Sequence, residues 1–153
     1  MIHRYLAPGI LLAALSAFLG LTGCGSDEQA EASLTPAQFG KKASLICNRA
    51  SSEGFKKAGI YVSQHAGGRA GGSEKEMFEQ AGTTTFEQAL RELQVLPVPS
   101  GIEPGIEAYF EEFEAALEEV RKEPLLLAAQ PNPFEAARRL AKKYDLGDCG
   151  AIP

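Results

Sequence analysis

The chain has 153 residues, with 15 Lys and Arg against 20 Asp and Glu, three Cys and no Trp. Its length is that of one ordinary domain, which excludes a multidomain assembly, and 44% apolar residues exclude wholesale disorder. A net charge of −5 leaves no basic footprint for nucleic acid.

The first element in chain order is a leader. His3 and Arg4 form a short positive head, Ile10 to Leu21 is an almost unbroken apolar run, and Leu21-Thr22-Gly23-Cys24 closes it. A secretory signal has this order of charge, apolar segment and small residues. The closing tetrapeptide resembles the lipobox of bacterial lipoproteins. That resemblance implies transfer of a diacylglyceryl group to the Cys24 thiol and cleavage between Gly23 and Cys24, so that residues 1–23 are a lipoprotein signal peptide. The alternative is an uncleaved anchor, since Tyr5 to Gly23 approaches the ~20 apolar residues a spanning helix needs, with Pro8 inside it.

Two acyl chains hold a protein stably on a bilayer where one does not. An acylated Cys24 therefore makes the lipid bilayer the first expected partner and places the rest of the chain on the extracytoplasmic face of the cell membrane. Removal of residues 1–23 takes away Arg4 as the only formal charge and leaves 130 residues at a net −6. Such a domain is not drawn to an anionic membrane by itself. Residues 24–34 are small, polar and acidic, the composition of a flexible tether. Residues 35–153 are the expected single domain.

With Cys24 assigned to lipid, Cys47 and Cys149 remain, 102 positions apart. An exported protein lives where disulfides persist, and an even remainder invites a bridge. A loop of this size is stabilised by ~4.7 kcal/mol in the chain-entropy model. The alternatives are two buried thiols or a redox couple, but the Cys-x-x-Cys spacing of a redox couple is missing.

Helix signals then recur and strand signals barely occur. Thr35-Pro36-Ala37-Gln38 is a capping box with Pro at the first helical position. Phe39, Ala43, Ile46, Cys47, Ala50, Gly54, Ala58 and Tyr61 follow at steps of three and four, one face of a helix that carries Cys47 inward. The glycine-rich run Gly67 to Gly72 breaks that helix. It is expected to be a flexible turn, because a nucleotide-binding loop needs a preceding strand and other glycine offsets. Ser73 and Glu76 form a second capping box, with Met77, Phe78, Ala81, Thr85, Ala89, Leu90 and Leu93 as the apolar side. Gly82 to Thr85 is weak helix material and a place for a kink.

Leu96-Pro97-Val98-Pro99-Ser100-Gly101 forces an extended connector. A third helix runs from Glu103 with Ile106, Tyr109, Phe110, Phe113, Ala116, Leu117 and Val120 on one side, and Pro124 closes it. Leu125 to Gln130 is an apolar patch with room for one helical turn. Asn132 caps a last helix with Phe134, Ala137, Leu140, Ala141 and Tyr144 inward, and Gly147 suits its stop. Four helices with short connections predict an all-α fold, a four-helix antiparallel bundle-like domain closed by one disulfide. Residues 103–123 carry eight Glu and a net −6, while residues 35–66 carry a net +4 and the last helix adds Arg138, Arg139, Lys142 and Lys143, so acidic and basic helices are expected to be neighbours.

Four constellations are candidates for function. Glu103, Glu107, Glu111, Glu114 and Glu118 form one stripe, but a straight helix face offers carboxylates in a row and not the cage a calcium ion takes; the expectation is a solvated acidic face with no metal and no cofactor. His65 sits near a helix end, where a cation suits the dipole, and no Gly-x-Ser-x-Gly, Ser-x-x-Lys or His-Glu-x-x-His motif supports catalysis. Tyr61, Tyr109, Phe110, Phe113 and Tyr144 are expected to be core, with a ligand pocket between helices as the alternative. The Leu96-Pro97-Val98-Pro99 connector offers a short extended segment to a partner.

The mature part also resembles a group of small lipoproteins and exported proteins of high-GC Gram-positive bacteria. The residues that carry the resemblance are Ile46-Cys47-Asn48-Arg49-Ala50, the Leu96-to-Gly101 break, and Lys143-Tyr144 through Cys149-Gly150. It implies a helical fold with a Cys47–Cys149 bridge and brings no activity with it. In that group a glycine follows the tyrosine; here Asp145 stands there, so the helix stop is expected to shift toward Gly147. The functional expectation is a membrane-anchored, non-enzymatic binding or interaction module for an envelope protein, with a small-ligand carrier as the alternative.

Overall fold

The computed structural model describes residues 33–65 and 73–152. The leader, Gly23, Cys24 and the Gly67–Gly72 run lie outside these residues. Within them every regular element is helical: α1 (Pro36–His65), α2 (Glu74–Phe78), a π turn (Glu79–Thr83), α3 (Thr84–Gln94), α4 (Glu103–Lys122) and α5 (Glu135–Lys143), with short 3-10 turns at Pro124–Ala128 and Gly147–Ala151. No helix among the described residues is long and apolar enough to cross a membrane.

The caps form as their sequences demand. The amide of Gln38 donates to Thr35 Oγ1 at 3.3 Å while Gln38 Oε1 accepts from the Thr35 amide at 2.9 Å. Ser73 and Glu76 make the same reciprocal pair at the start of α2. Between α2 and α3 the helix widens: the amide of Thr84 donates to the carbonyl of Glu79, five residues back. The π turn thus begins three residues before Gly82, and it inserts one residue into the helical count. Phe86, absent from the predicted face, is buried beside Thr85 and in helical step with Ala89, Leu90 and Leu93.

Cross-helix pairs set the directions. Arg49 pairs with Glu92, Lys57 Nζ donates to Thr85 Oγ1 at 2.9 Å, and the Tyr61 hydroxyl donates to Glu76 at 2.8 Å. Partner numbers fall as α1 numbers rise, so α1 runs antiparallel to α2 and α3. Phe113 meets Phe134 edge to face at 5.2 Å, and Gly105 lies against the Tyr144 ring, so α4 and α5 are antiparallel too. Phe86 joins the same group through Phe134 at 5.9 Å. These rings tie α3, α4 and α5 together by apolar burial and edge-to-face geometry.

The charge expectation is met in part: among the described residues acidic α4 packs on basic α5 but not on basic α1, and exposed ion pairs do not make the α4–α5 contact. Glu107, Glu111, Glu114 and Glu118 are exposed and make no ion pair among the described residues. The α4 cation Arg121 pairs with Glu87 of α3 at 2.8 Å, and Arg138 and Arg139 of α5 turn to Glu135 on their own helix. Burial of the apolar faces, worth far more than exposed ion pairs, decides the neighbours.

The end of α5 is a second departure. The helix does not run on toward Gly147. Asp145 itself takes the left-handed conformation at φ +54°, the Leu146 amide donates to the Ala141 carbonyl at 2.8 Å, and the Asp145 amide to the Lys142 carbonyl at 3.4 Å. This is a Schellman turn with aspartate where glycine is usual. The chain then lies on α1, where Ser44 Oγ donates to Asp148 Oδ2 at 2.9 Å and accepts from the Asp148 amide at 3.1 Å. Cys149 is bonded to Cys47 beside this contact, with Cα atoms 5.0 Å apart in the usual range for a disulfide.

Candidate functional site

Both cysteines of the bridge are buried in the core, so the bridge is structural and presents no sulfur to a redox partner. The glutamate stripe remains a row on α4. Its first member, Glu103, accepts from the Gly101 amide at 2.5 Å at the helix start, and no group of metal-ligating side chains occurs among the described residues. The proline connector does not stand free: Pro99 is fully buried and Val98 is half-buried against the core.

His65 belongs to a short polar chain at the end of α1. Its ring stacks on Tyr61 with centroids 4.1 Å apart, and Nδ1 donates to the Tyr61 carbonyl at 2.8 Å. Glu76 accepts from the Tyr61 hydroxyl and, at 3.3 Å, from the Ser73 amide. The Tyr61 hydrogen bond, then the Ser73 amide, hold the Glu76 carboxyl below the usual carboxylate range, and burial followed by that carboxylate pushes the Tyr61 phenol up. Among the described residues no catalytic nucleophile is hydrogen-bonded to His65. The geometry of this polar chain ties α1 to α2 and gives His65 a capping position.

The five rings expected to be core, with a ligand pocket as the alternative, do not line the apolar cleft found among the described residues, and Phe110 and Tyr144 pack against the core. Tyr109 and Phe113 are core, and Tyr61 is engaged with Glu76. The open apolar space lies elsewhere, between α1 and the π turn, as a cleft of about 170 Å³. Ala81, Phe86 and Leu127 are its buried walls, Gly54 and Ala58 supply the α1 side, and Phe55 stands at its edge, 75% exposed. Small residues make the space. A Cβ on Gly54 would sit 3.1 Å from the Ala81 carbonyl, and one on Gly82 would run into the Leu127 side chain. Among the described residues the lining has no titratable group, and Ser51 is its single hydroxyl. The described lining gives that hydroxyl no acid or base as a partner; what the cleft can do is take apolar surface out of water. The sequence signal for it was the pairing of Gly54 with Ala58 and of Ala81 with Gly82 at helical positions otherwise filled by larger side chains.

Comparison with protein-family models, with curated proteins and with solved structures found no match.

Proposed function

We propose that this chain is a membrane-anchored extracytoplasmic lipoprotein, held by an acylated Cys24, whose helical domain acts as a non-enzymatic binding or interaction module in the cell envelope. The observation that carries the reading is the buried Cys47–Cys149 bridge. A disulfide of this kind persists in an oxidising compartment, which agrees with an export signal ending in Leu21-Thr22-Gly23-Cys24. In this reading residues 1–23 are removed, residues 24–34 are the tether, and residues 35–153 form one antiparallel bundle-like domain of the kind found in small lipoproteins of high-GC Gram-positive bacteria.

Intact mass of the protein from its native membrane, with and without reductant before thiol alkylation, tests both parts. The expected result is a chain starting at Cys24, carrying an added diacylglycerol, whose other two cysteines alkylate only after reduction. An unprocessed start overturns the lipoprotein, and alkylation without reduction overturns the export argument.

The apolar cleft supports a second reading, a small-ligand carrier. Native mass spectrometry of the protein released gently from its membrane is expected to retain a co-purifying small molecule on this reading. Cross-linking in the intact envelope to a protein partner favours the first.

A further inference from the structure

We propose that the cleft between α1 and the π turn is a binding site for a small neutral ligand presenting one apolar group the size of a six-membered carbon ring. The inference rests on the carrier reading and names its site and ligand class.

Size sets the first limit. The cleft of about 170 Å³, open to solvent on the Phe55 side, has about the volume of the ~150 Å³ closed apolar cavity that accepts benzene, and it is well below the ~300 Å³ at which sites for drug-sized molecules begin. Chemistry sets the second. Three phenylalanines, Phe55, Phe78 and Phe86, line the space with small residues and Leu127, and among the described residues no charged side chain lines it. An ionic group placed there would lose its hydration without a partner, so the occupant is neutral. The Ser51 hydroxyl admits one hydrogen-bonding atom on the ligand.

The backbone supplies an independent indication. A π turn is uncommon and concentrates at functional positions, and here its own residues Ala81 and Gly82 form one wall of the cleft. An ordinary α-helix at this point would turn a different set of side chains toward α1. Phe55, at the edge and largely in water, gains burial when a ring fills the space beside it.

The test is a benzene titration of the full chain in lipid nanodiscs, followed by NMR at the Leu127 methyls and the Phe86 ring. Saturable shifts are expected there, with Kd on the order of 0.1–1 mM, together with intermolecular NOEs to those groups and no shift at Leu146. Ala58→Leu, which fills the cleft, is expected to weaken binding at least tenfold with the circular dichroism unchanged. Shifts that do not saturate, or that spread evenly over the protein, overturn the site. Where the variant fails to fold, the NOEs of the unsubstituted chain decide. Benzene bound in the cleft with no ligand in the native mass spectrum keeps the site and removes the carrier reading. A native ligand with NOEs to other residues keeps the carrier and removes this site.

Discussion

The amide of Leu146 donates to the carbonyl of Ala141 at 2.8 Å, and Asp145 closes the turn between them at φ +54°. An L-residue pays a steric penalty in that conformation that glycine does not. Asp145→Gly is therefore expected to stabilise the domain by about 0.5–1 kcal/mol, after allowance for the greater chain entropy of glycine in the unfolded state. Thermal unfolding checks it: the midpoint should rise by about 2–5 °C, and a fall would show that the aspartate side chain contributes more than its backbone conformation costs.

The same turn explains a glycine on another helix. Gly40 of α1 faces the Asp145 carbonyl so closely that an added Cβ would strike backbone that the Schellman bonds already hold. Overpacking against a fixed main chain costs about 1–3 kcal/mol. Gly40→Ala should lower stability by about that amount in urea unfolding, although alanine is the better helix former in isolation.

The bridge spans 102 positions and joins α1 to the last turn of the domain. Replacing both cysteines, Cys47→Ala with Cys149→Ala, is expected to cost about 2–5 kcal/mol. Because both sulfurs are buried, reductant alone should act slowly under native conditions and quickly in denaturant. Alkylation at equal rates in the two conditions would contradict the buried placement.

Glu76 carries a pH signature. Its folded pKa lies below the ordinary carboxylate value of 4.5, mainly through the Tyr61 hydroxyl. The associated stability is complete above the unfolded value and is lost as pH falls from about 4.5 through the folded pKa. Tyr61→Phe should move the Glu76 titration, followed by carboxyl NMR between pH 2 and 7, upward toward the ordinary value. No movement would place the cause elsewhere in the cap. The raised Tyr61 pKa works in the opposite direction: its contribution is complete below the ordinary phenol value of 10 and is lost as pH rises through the folded pKa.

Tyr109 is fully buried, and its hydroxyl has no hydrogen-bond partner among the described residues. Burial pushes its pKa far up. An unpaired buried hydroxyl costs desolvation without return, so Tyr109→Phe keeps the ring contacts with Phe113 and is expected to stabilise by about 1 kcal/mol. A loss of stability in denaturant titration would reveal a partner for the hydroxyl.

The helices can be read from the amino-acid order, because their signals are local. Thr35 and Gln38 close one cap and Ser73 and Glu76 another within four residues, and the two prolines at 97 and 99 leave the chain no way to stay helical. The inward position of Cys47 was legible for the same reason, since it follows from a helical period counted along one face. Tertiary packing decided the rest. The helix widens into a π turn at Glu79–Thr83, where weak propensity from Gly82 to Thr85 marks only where it can yield. Asp145 accepts a left-handed backbone because its carbonyl packs on Gly40, 105 positions earlier in the chain. The cleft draws on residues 51 to 58, 78 to 86 and 127, three segments whose small side chains look like ordinary helix until α1 and the π turn meet. Periodicity and caps act over one or two turns; small residues such as Gly54, Ala58, Ala81 and Gly82 mark where space can open, but the cleft exists only after distant segments pack.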